Sequence, residues 1–179
     1  MHHIKTISQE LSLNTIAPYY HHKRFLALCK ECPNYDVVWS CPPYNFKPET
    51  LLAGFSYIKI FGFKIVFEDL CQSNHTMAIA KAKKIMEAEK RRADAKVLEM
   101  EQDLNNSQAL YSGSCRLCRD CTRILERPCR HLDLMRYSLE SLGYDVEAIA
   151  KDILNLPLLW YKNRLPPYMV LITALLYNK

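Results

Sequence analysis

The chain has 179 residues, of which 49% are hydrophobic, and carries a formal net charge of +5. This length and apolar content predict a single domain, residues 1–179, with one ordinary core. Four glycines and nine prolines argue against a disordered chain, and the modest charge predicts solubility instead of nucleic-acid binding.

The N-terminal stretch 1–13 lacks the apolar run of a signal peptide, because Lys5, Glu10 and histidines stand where that run would be. The longest apolar run, 168–177, is too short to cross a bilayer. Eight cysteines would form a disulfide framework in a small secreted protein, but here their tight spacings are typical of metal ligands. We therefore expect a cytoplasmic protein with no membrane partner.

The first cysteine motif consists of Cys29, Cys32 and Cys41. A proline follows each of Cys32 and Cys41, and these prolines stop a helix from starting and stiffen the backbone. The pattern predicts a rigid loop that turns its sulfurs toward a metal, with an aromatic wall against water formed by Tyr35, Trp39 and Tyr44. The alternative is a loop that buries its thiols without a metal.

Three cysteines leave a fourth coordination position to fill. Cys71 is the cysteine left over, and it is either the missing ligand or a small buried hydrophobe. His21 and His22 are weaker candidates. If no protein group fills the position, an iron there would be open to a substrate or small ligand.

Two long elements separate the cysteine motifs. The β-branched and aromatic run 57–68 predicts a strand buried on both faces, and Gly62 within it marks a bulge or the close approach of another backbone. Ser73 and Asn74 offer N-caps for a long helix over 76–105. An apolar stripe runs along it and charged residues occupy the remainder, which predicts a solvated face. The alternative use of this face is a homo-oligomer or partner contact.

The second cysteine motif follows a short predicted strand, 109–112, and consists of Cys115, Cys118, Cys121 and Cys129. Zinc sites usually take two separate Cys-x-x-Cys pairs, whereas Cys-x-x-Cys-x-x-Cys is the run that wraps three corners of a cubane iron–sulfur cluster. The match to the bacterial ferredoxin run is partial. Seven residues separate Cys121 from Cys129, where that run has three, and the proline stands before the last cysteine and not after it. The spacing favours a 4Fe-4S cluster, with zinc or unligated thiols as alternatives.

Basic residues surround the second motif, and they suit the negative charge of a thiolate-ligated cluster. They are Arg116, Arg119, Arg123, Arg127, Arg130 and His131. The alternative is a basic patch for an acidic partner or nucleic acid. Since no aromatic residue is interleaved with these arginines, we expect no nucleic-acid partner.

The C-terminal third predicts four further elements. A helix over 131–142 ends at Gly143, and Asp145 caps a second helix that runs to Leu154. Two strands, 156–162 and 168–176, are expected to pair as a hairpin. The predicted fold class is α+β: an antiparallel or mixed sheet with one long and two shorter helices, and the cysteine-rich metal loops at one edge.

The two cysteine motifs, together with the stretch from Arg136 through Ser138 and Glu140 to Gly143, resemble the DUF2284 family of predicted metal-binding proteins from bacteria and archaea. The resemblance covers essentially the whole chain, implies metal binding with an iron–sulfur group, and specifies no reaction. Arg136 and Glu140, four residues apart on the predicted helix, can pair there. With Arg130 they are the candidates for orienting and neutralising the cluster, and an ordinary surface ion pair is the alternative.

Three functional hypotheses remain open from the sequence. The first is a redox protein that passes electrons to a partner protein through one or two 4Fe-4S clusters, a second centre being held by the first motif. The second is an enzyme whose substrate binds an open iron of the three-cysteine motif. The third is a binding module folded around structural zinc.

Overall fold

The computed structural model describes residues 2–67, 75–160 and 165–179. Its centre is a four-stranded sheet in the order β1-β2-β4-β3, in which every neighbouring pair is antiparallel. The strands are β1 (His2–Ser12), β2 (Tyr57–Phe67), β3 (Ser107–Leu110) and β4 (Tyr168–Tyr177). The helices are α1 (His22–Lys30), α2 (Pro48–Leu52), α3 (His75–Asp103) and α4 (Val146–Asp152), with 3-10 segments at Leu13–Tyr19 and Thr122–Leu125.

Strand β2 is the hydrophobic centre of the molecule. It pairs along its whole length with β1, from His2 opposite Phe67 to Ser12 opposite Tyr57, and on its other side with β4. Alternate β2 side chains belong to different cores, because successive side chains point to opposite faces of a sheet. The sequence prediction of a strand buried on both faces is confirmed.

The long helix α3 covers one face of the sheet. Ala93 and Val97 pack with Phe61 and Phe63, while further toward the start of the helix Ala78 and Ala82 pack with Ile65 and Phe67. Small alanines let the helix lie close to large aromatic side chains of β2, so the apolar stripe is read correctly from the sequence. The proposed caps Ser73 and Asn74 lie outside the described residues.

The opposite face carries the larger core. Ile58 and Ile60 pack there among residues of α4 and of the segment that follows it, including Leu154 and Leu156. Gly62 marks neither a bulge nor the approach of another backbone: it is in regular register, and a Cβ there would lie 2.8 Å from the side-chain atom Cδ2 of Leu156. Leu156 therefore presses onto β2 where glycine leaves room.

Two C-terminal predictions are correct. Asp145 caps α4, and its Oδ1 accepts a hydrogen bond of 3.0 Å from the backbone N–H of Ala148. Strand β4 forms at 168–177, close to the predicted range. Its partners are β2 and β3, however, and not the segment 156–162.

The hairpin prediction is wrong for this reason. Residues 156–160 form no strand, and residues 161–164 lie outside the described part of the chain. Strand β4 lies between β2 and β3 in the sheet, so its neighbours on both sides are other strands. Leu156 instead packs face-on against the sheet.

The helix predicted over 131–142 is also wrong. The segment consists of turns, in which the Oγ of Ser141 accepts from Ser138 N–H at 3.1 Å and that of Ser138 accepts from Ser141 N–H at 3.3 Å. Tyr111 adds a tertiary bond, its N–H donating to the carbonyl of Tyr137 at 2.8 Å. Serine hydroxyls that satisfy nearby N–H groups compete with helix formation.

The predicted fold class, α+β, is confirmed. The second cysteine motif follows the C-terminal end of β3, which is an edge strand of the sheet. Strand β1 and helices α1 and α2 were not predicted. Among the described residues, every helix is either too short or too polar to form a transmembrane span.

Candidate metal centre

The first cysteine motif is built at the end of α1. Cys29 lies in the last turn of the helix, and Cys32 N–H donates to the Cys29 carbonyl at 3.0 Å. Two further turns follow, one closed by Tyr35 N–H on the Cys32 carbonyl and one by Cys41 N–H on the Val38 carbonyl. These turns fold the loop back on itself, which brings Cys41 near the two cysteines at the end of the helix.

Burial dominates the electrostatics of these thiols. It raises the pKa of Cys29, and it raises the pKa of Cys41 to about 11. Neighbouring sulfurs add to both shifts, while the Ser40 hydroxyl lowers the pKa of Cys41. The metal-free thiols of Cys29 and Cys41 therefore hold their protons at neutral pH, and a metal that binds them must displace those protons.

The second motif starts where β3 ends. Its four cysteines line one small cavity of about 20 Å³. The first motif supplies part of the wall through Val38, Trp39 and Ser40. Burial raises the pKa of Cys115, and the nearby Cys129 and Cys118 add to the shift. The four cysteines predicted as ligands thus line one common cavity.

Polar contacts join the two motifs. Cys115 N–H donates to Ser40 Oγ at 2.8 Å, and Asn34 Nδ2 donates to Ser114 Oγ at 3.3 Å. The indole N–H of Trp39 donates to the Arg127 carbonyl at 3.1 Å. Ser40 is completely buried, so its hydrogen bond is shielded from water. The two motifs therefore form one structural unit.

Arg123 is the main connection between the motifs. Its Nη1 donates to the carbonyls of Cys41 at 2.6 Å and Val38 at 3.1 Å, and its Nη2 donates to the Pro43 carbonyl at 2.6 Å. Its guanidinium group also pairs with Asp36 at 2.9 Å and lies 5.1 Å from the Trp39 ring centroid. Its side chain is only 9% exposed. The sequence placed Arg123 among the basic residues but gave no signal of this role.

A buried polar network fixes the start of the second motif to α3. Asp94 Oδ1 accepts from the backbone N–H of Ser112 at 2.8 Å and from its hydroxyl at 3.0 Å. Lys90 Nζ donates to Asp94 Oδ2 at 2.6 Å and to the Ser112 carbonyl at 2.5 Å. The prediction that the charged residues of α3 form a solvated face is wrong here, because Asp94 is buried.

The three candidate cofactor-binding residues lie in different surroundings. Arg136 pairs with Glu101 of α3, at 2.6 and 2.7 Å, so the expected pair with Glu140 does not form. Burial raises the pKa of Glu140, which lies close enough to Cys29 to raise the pKa of that thiol. Arg130 is exposed, and its Nη1 donates to the Asp120 carbonyl at 3.4 Å.

The structure describes two of the three candidates for the fourth position of the first motif. Cys71 lies outside the described residues. His21 and His22 stand at the start of α1, roughly 10 Å along the helix from Cys29. Throughout the described ranges, no three His, Cys, Asp or Glu side chains are grouped closely enough to hold a metal ion as they stand.

Comparison with known families adds the decisive observation. The DUF2284 family, described as predicted metal-binding proteins, matches residues 16–176. The chain belongs to this family. No curated protein and no solved structure matches. The matched DUF2284 span contains both cysteine motifs, the Arg123 connection and the Lys90–Asp94 network.

The DUF2284 assignment and the donor set agree. Soft thiolates are ligands that select zinc, copper(I) or iron–sulfur clusters. A DUF2284 protein with four thiols around one cavity and three more in a contacting loop is therefore suited to bind metal through sulfur.

Proposed function

We propose that this protein is a cytoplasmic iron–sulfur protein that transfers single electrons between partner proteins. The observation that carries this proposal is the shared cavity of Cys115, Cys118, Cys121 and Cys129. Together with the Cys-x-x-Cys-x-x-Cys spacing, it provides four thiols from one short loop for a 4Fe-4S cluster. Such a cluster supplies reversible one-electron redox chemistry, with the electron coming from a reduced partner and going to an oxidised one.

The surrounding residues suit a negatively charged centre. The Arg116 and Arg119 guanidinium groups are exposed on the loop itself, where positive charge favours the reduced form. Arg123 and Ser40 hold the first motif as a wall of the cavity, and that wall limits access of water to the thiols. The positive charge raises the expected reduction potential, whereas exclusion of water lowers it, because it disfavours the more highly charged reduced form.

The first motif is proposed to hold a second centre. Cys29, Cys32 and Cys41 are neighbours, and the loop that carries them is fixed to the second motif by Arg123. Two centres in contacting loops would let an electron pass from one to the other inside the protein. The proposed partner of each centre is a redox protein.

A specific observation favours a second candidate, a structural zinc module. A cavity of about 20 Å³ is close to the size of one water molecule, and it suits a single ion better than a cubane. Zinc bound by four thiolates would tie the loop together without redox chemistry. The two candidates predict different metals, so they are separable by analysis.

The test is a metal count on protein prepared without oxygen, combined with electron paramagnetic resonance after reduction. The iron–sulfur proposal expects iron and acid-labile sulfide in equal amounts, a brown colour and a signal from the reduced cluster. Stoichiometric zinc without iron would support the structural module and overturn the redox proposal.

Single variants then assign the ligands. Cys121→Ala and Cys41→Ala are compared with Leu125→Ala, an exposed residue of the same loop that does not line the cavity. If each cysteine variant loses one cluster and the control keeps both, the motifs are independent centres. If either cysteine variant loses all iron, the two motifs share one cluster.

A further inference from the structure

A second and larger cavity lies beside the cysteine loop. It is a cleft of about 540 Å³ between α3, β4 and the second motif. Its lining includes Met86, Lys90, Arg91, Arg116, Arg119 and Leu171. Cys118 lines this cleft as well as the cavity of the four cysteines. The side chain of Cys118 is therefore a wall common to both spaces.

The charge of the cleft is strongly positive and mostly uncompensated. Arg91 and Arg116 are exposed and have no ion pair among the described residues. Arg119 has only a long contact of 3.9 Å with Asp120, and both side chains are largely exposed. Lys90 is already held by Asp94, and Glu87 is the single acidic residue of the lining. Three guanidinium groups are thus available to a ligand.

The size and chemistry of the cleft indicate what it binds. A volume of about 540 Å³ falls within the range of small-molecule sites. Guanidinium groups bind carboxylates and phosphates through paired N–H donors, while Met86 and Leu171 offer apolar contact to the rest of a ligand. A cleft of this shape suits a compact anion better than the broad face of an acidic protein.

We propose that this cleft binds a small organic anion, carrying carboxylate or phosphate groups, against Arg91, Arg116 and Arg119 and beside Cys118. The binding itself needs only these residues. Its consequence rests on the proposed function: an anion next to a ligand of the cluster disfavours the extra negative charge of the reduced state. Binding of the anion in the cleft is then coupled, through Cys118, to electron transfer by the cluster.

The test is calorimetric titration of the full chain at low salt, with citrate and pyrophosphate as separate probes. The variant Arg91→Gln/Arg116→Gln is compared with Lys96→Gln/Arg127→Gln. The control pair lies on the same helix and the same loop, carries the same change in charge and does not line the cleft. Circular dichroism checks that both variants fold.

We expect saturable one-to-one binding that weakens at least about tenfold in the cleft variant and less than about twofold in the control. Tighter binding of citrate assigns the ligand as a carboxylate, and tighter binding of pyrophosphate assigns it as a phosphate. Absence of saturable binding by either probe overturns the proposal, even if an acidic protein binds. Equal weakening in both variants overturns it too, because that result indicates a general charge effect.

The titration is repeated on metal-free and metal-loaded protein. If the preparation contains no iron but the probes bind through Arg91 and Arg116, the anion site stands and the redox proposal fails. If iron is present and the probes do not bind, the failure belongs to the anion site alone. In iron-loaded protein, the bound probe is expected to make the reduction potential more negative.

Discussion

At the scale of single residues, Arg123 determines how the two motifs lie against each other. Its guanidinium group meets three backbone carbonyls of the first motif, Asp36 and the face of Trp39. A planar group with several fixed N–H donors can satisfy all these partners at once, which an ammonium group cannot. The expected consequence is strong sensitivity to a charge-preserving change.

Arg123→Lys should lower the free energy of unfolding by about 2–4 kcal/mol, because buried carbonyls lose charged donors. It should also reduce the metal content, since the wall of the cysteine cavity loosens. Urea denaturation and metal analysis measure the two effects. The control is Arg127→Lys, an exposed residue of the same loop. Wild-type stability and metal content in Arg123→Lys would contradict this role.

The hydrogen-bond network of Asp94 connects the second motif to α3, as Arg123 connects it to the first motif. Asp94→Asn leaves the largely buried Lys90 ammonium group without its carboxylate, and the expected cost is about 2–4 kcal/mol. The same change at the exposed Glu99 of α3, Glu99→Gln, should be nearly neutral. Equal midpoints of urea unfolding for the two variants would show that the network contributes little.

At the scale of elements, the sequence predicts the helices and strands that have a regular pattern. It does not predict the conformations that depend on contacts with distant parts of the chain. The strand β2, the helix α3 and the Asp145 cap each follow from local sequence, because their periodicity or side chain specifies the conformation. The edge strand β1 is polar and mostly exposed, so its sequence lacks the alternation that identifies a half-buried strand.

The segment 131–142 shows why the other errors arose. Its apolar spacing fits a helix, but its backbone bonds to Tyr111 and to the paired hydroxyls of Ser138 and Ser141. Likewise, the sequence gives the cysteine spacings that define the site but not the contacts between motifs. Ser40, Arg123 and Asp94 act through partners more than 15 residues away, such as Cys115, Cys41 and Ser112.

At the scale of the whole molecule, the protein divides into a sheet with its two cores and a pair of cysteine loops. The cores bury Ile58, Ile60 and Ile65 almost completely, whereas the loops are held by turns and side-chain contacts, which the proposed metal would supplement. Segments with few ladder hydrogen bonds and little apolar burial open first. Metal removal should therefore loosen the loops before the sheet.

Hydrogen exchange with and without bound metal tests this division. After chelation, protection should fall in residues 29–44 and 112–131 and persist in β2 and β4. Adding metal back should restore the original pattern. Simultaneous loss of protection in β2 would show that the metal supports the whole fold and not the loops alone.

The pH dependence of stability gives an independent measure of ligation. In metal-free protein, burial raises the pKa of Cys41 to about 11, whereas a thiol in the unfolded chain titrates near 9. Below pH 9 both states are protonated, and between 9 and 11 only the unfolded state loses the proton. Stability should therefore fall by about 2–3 kcal/mol as the pH rises through this window. In metal-loaded protein the ligated thiolate carries no proton, so Cys41 no longer contributes to the fall. Buried tyrosines such as Tyr111, whose pKa is also raised, contribute to it equally with and without metal, so the difference between the two preparations is the measure of Cys41. Urea unfolding from pH 8 to 11 distinguishes these cases, and metal-free Cys41→Ser should lose this contribution. A fall that is the same with and without metal would show that Cys41 is not a ligand.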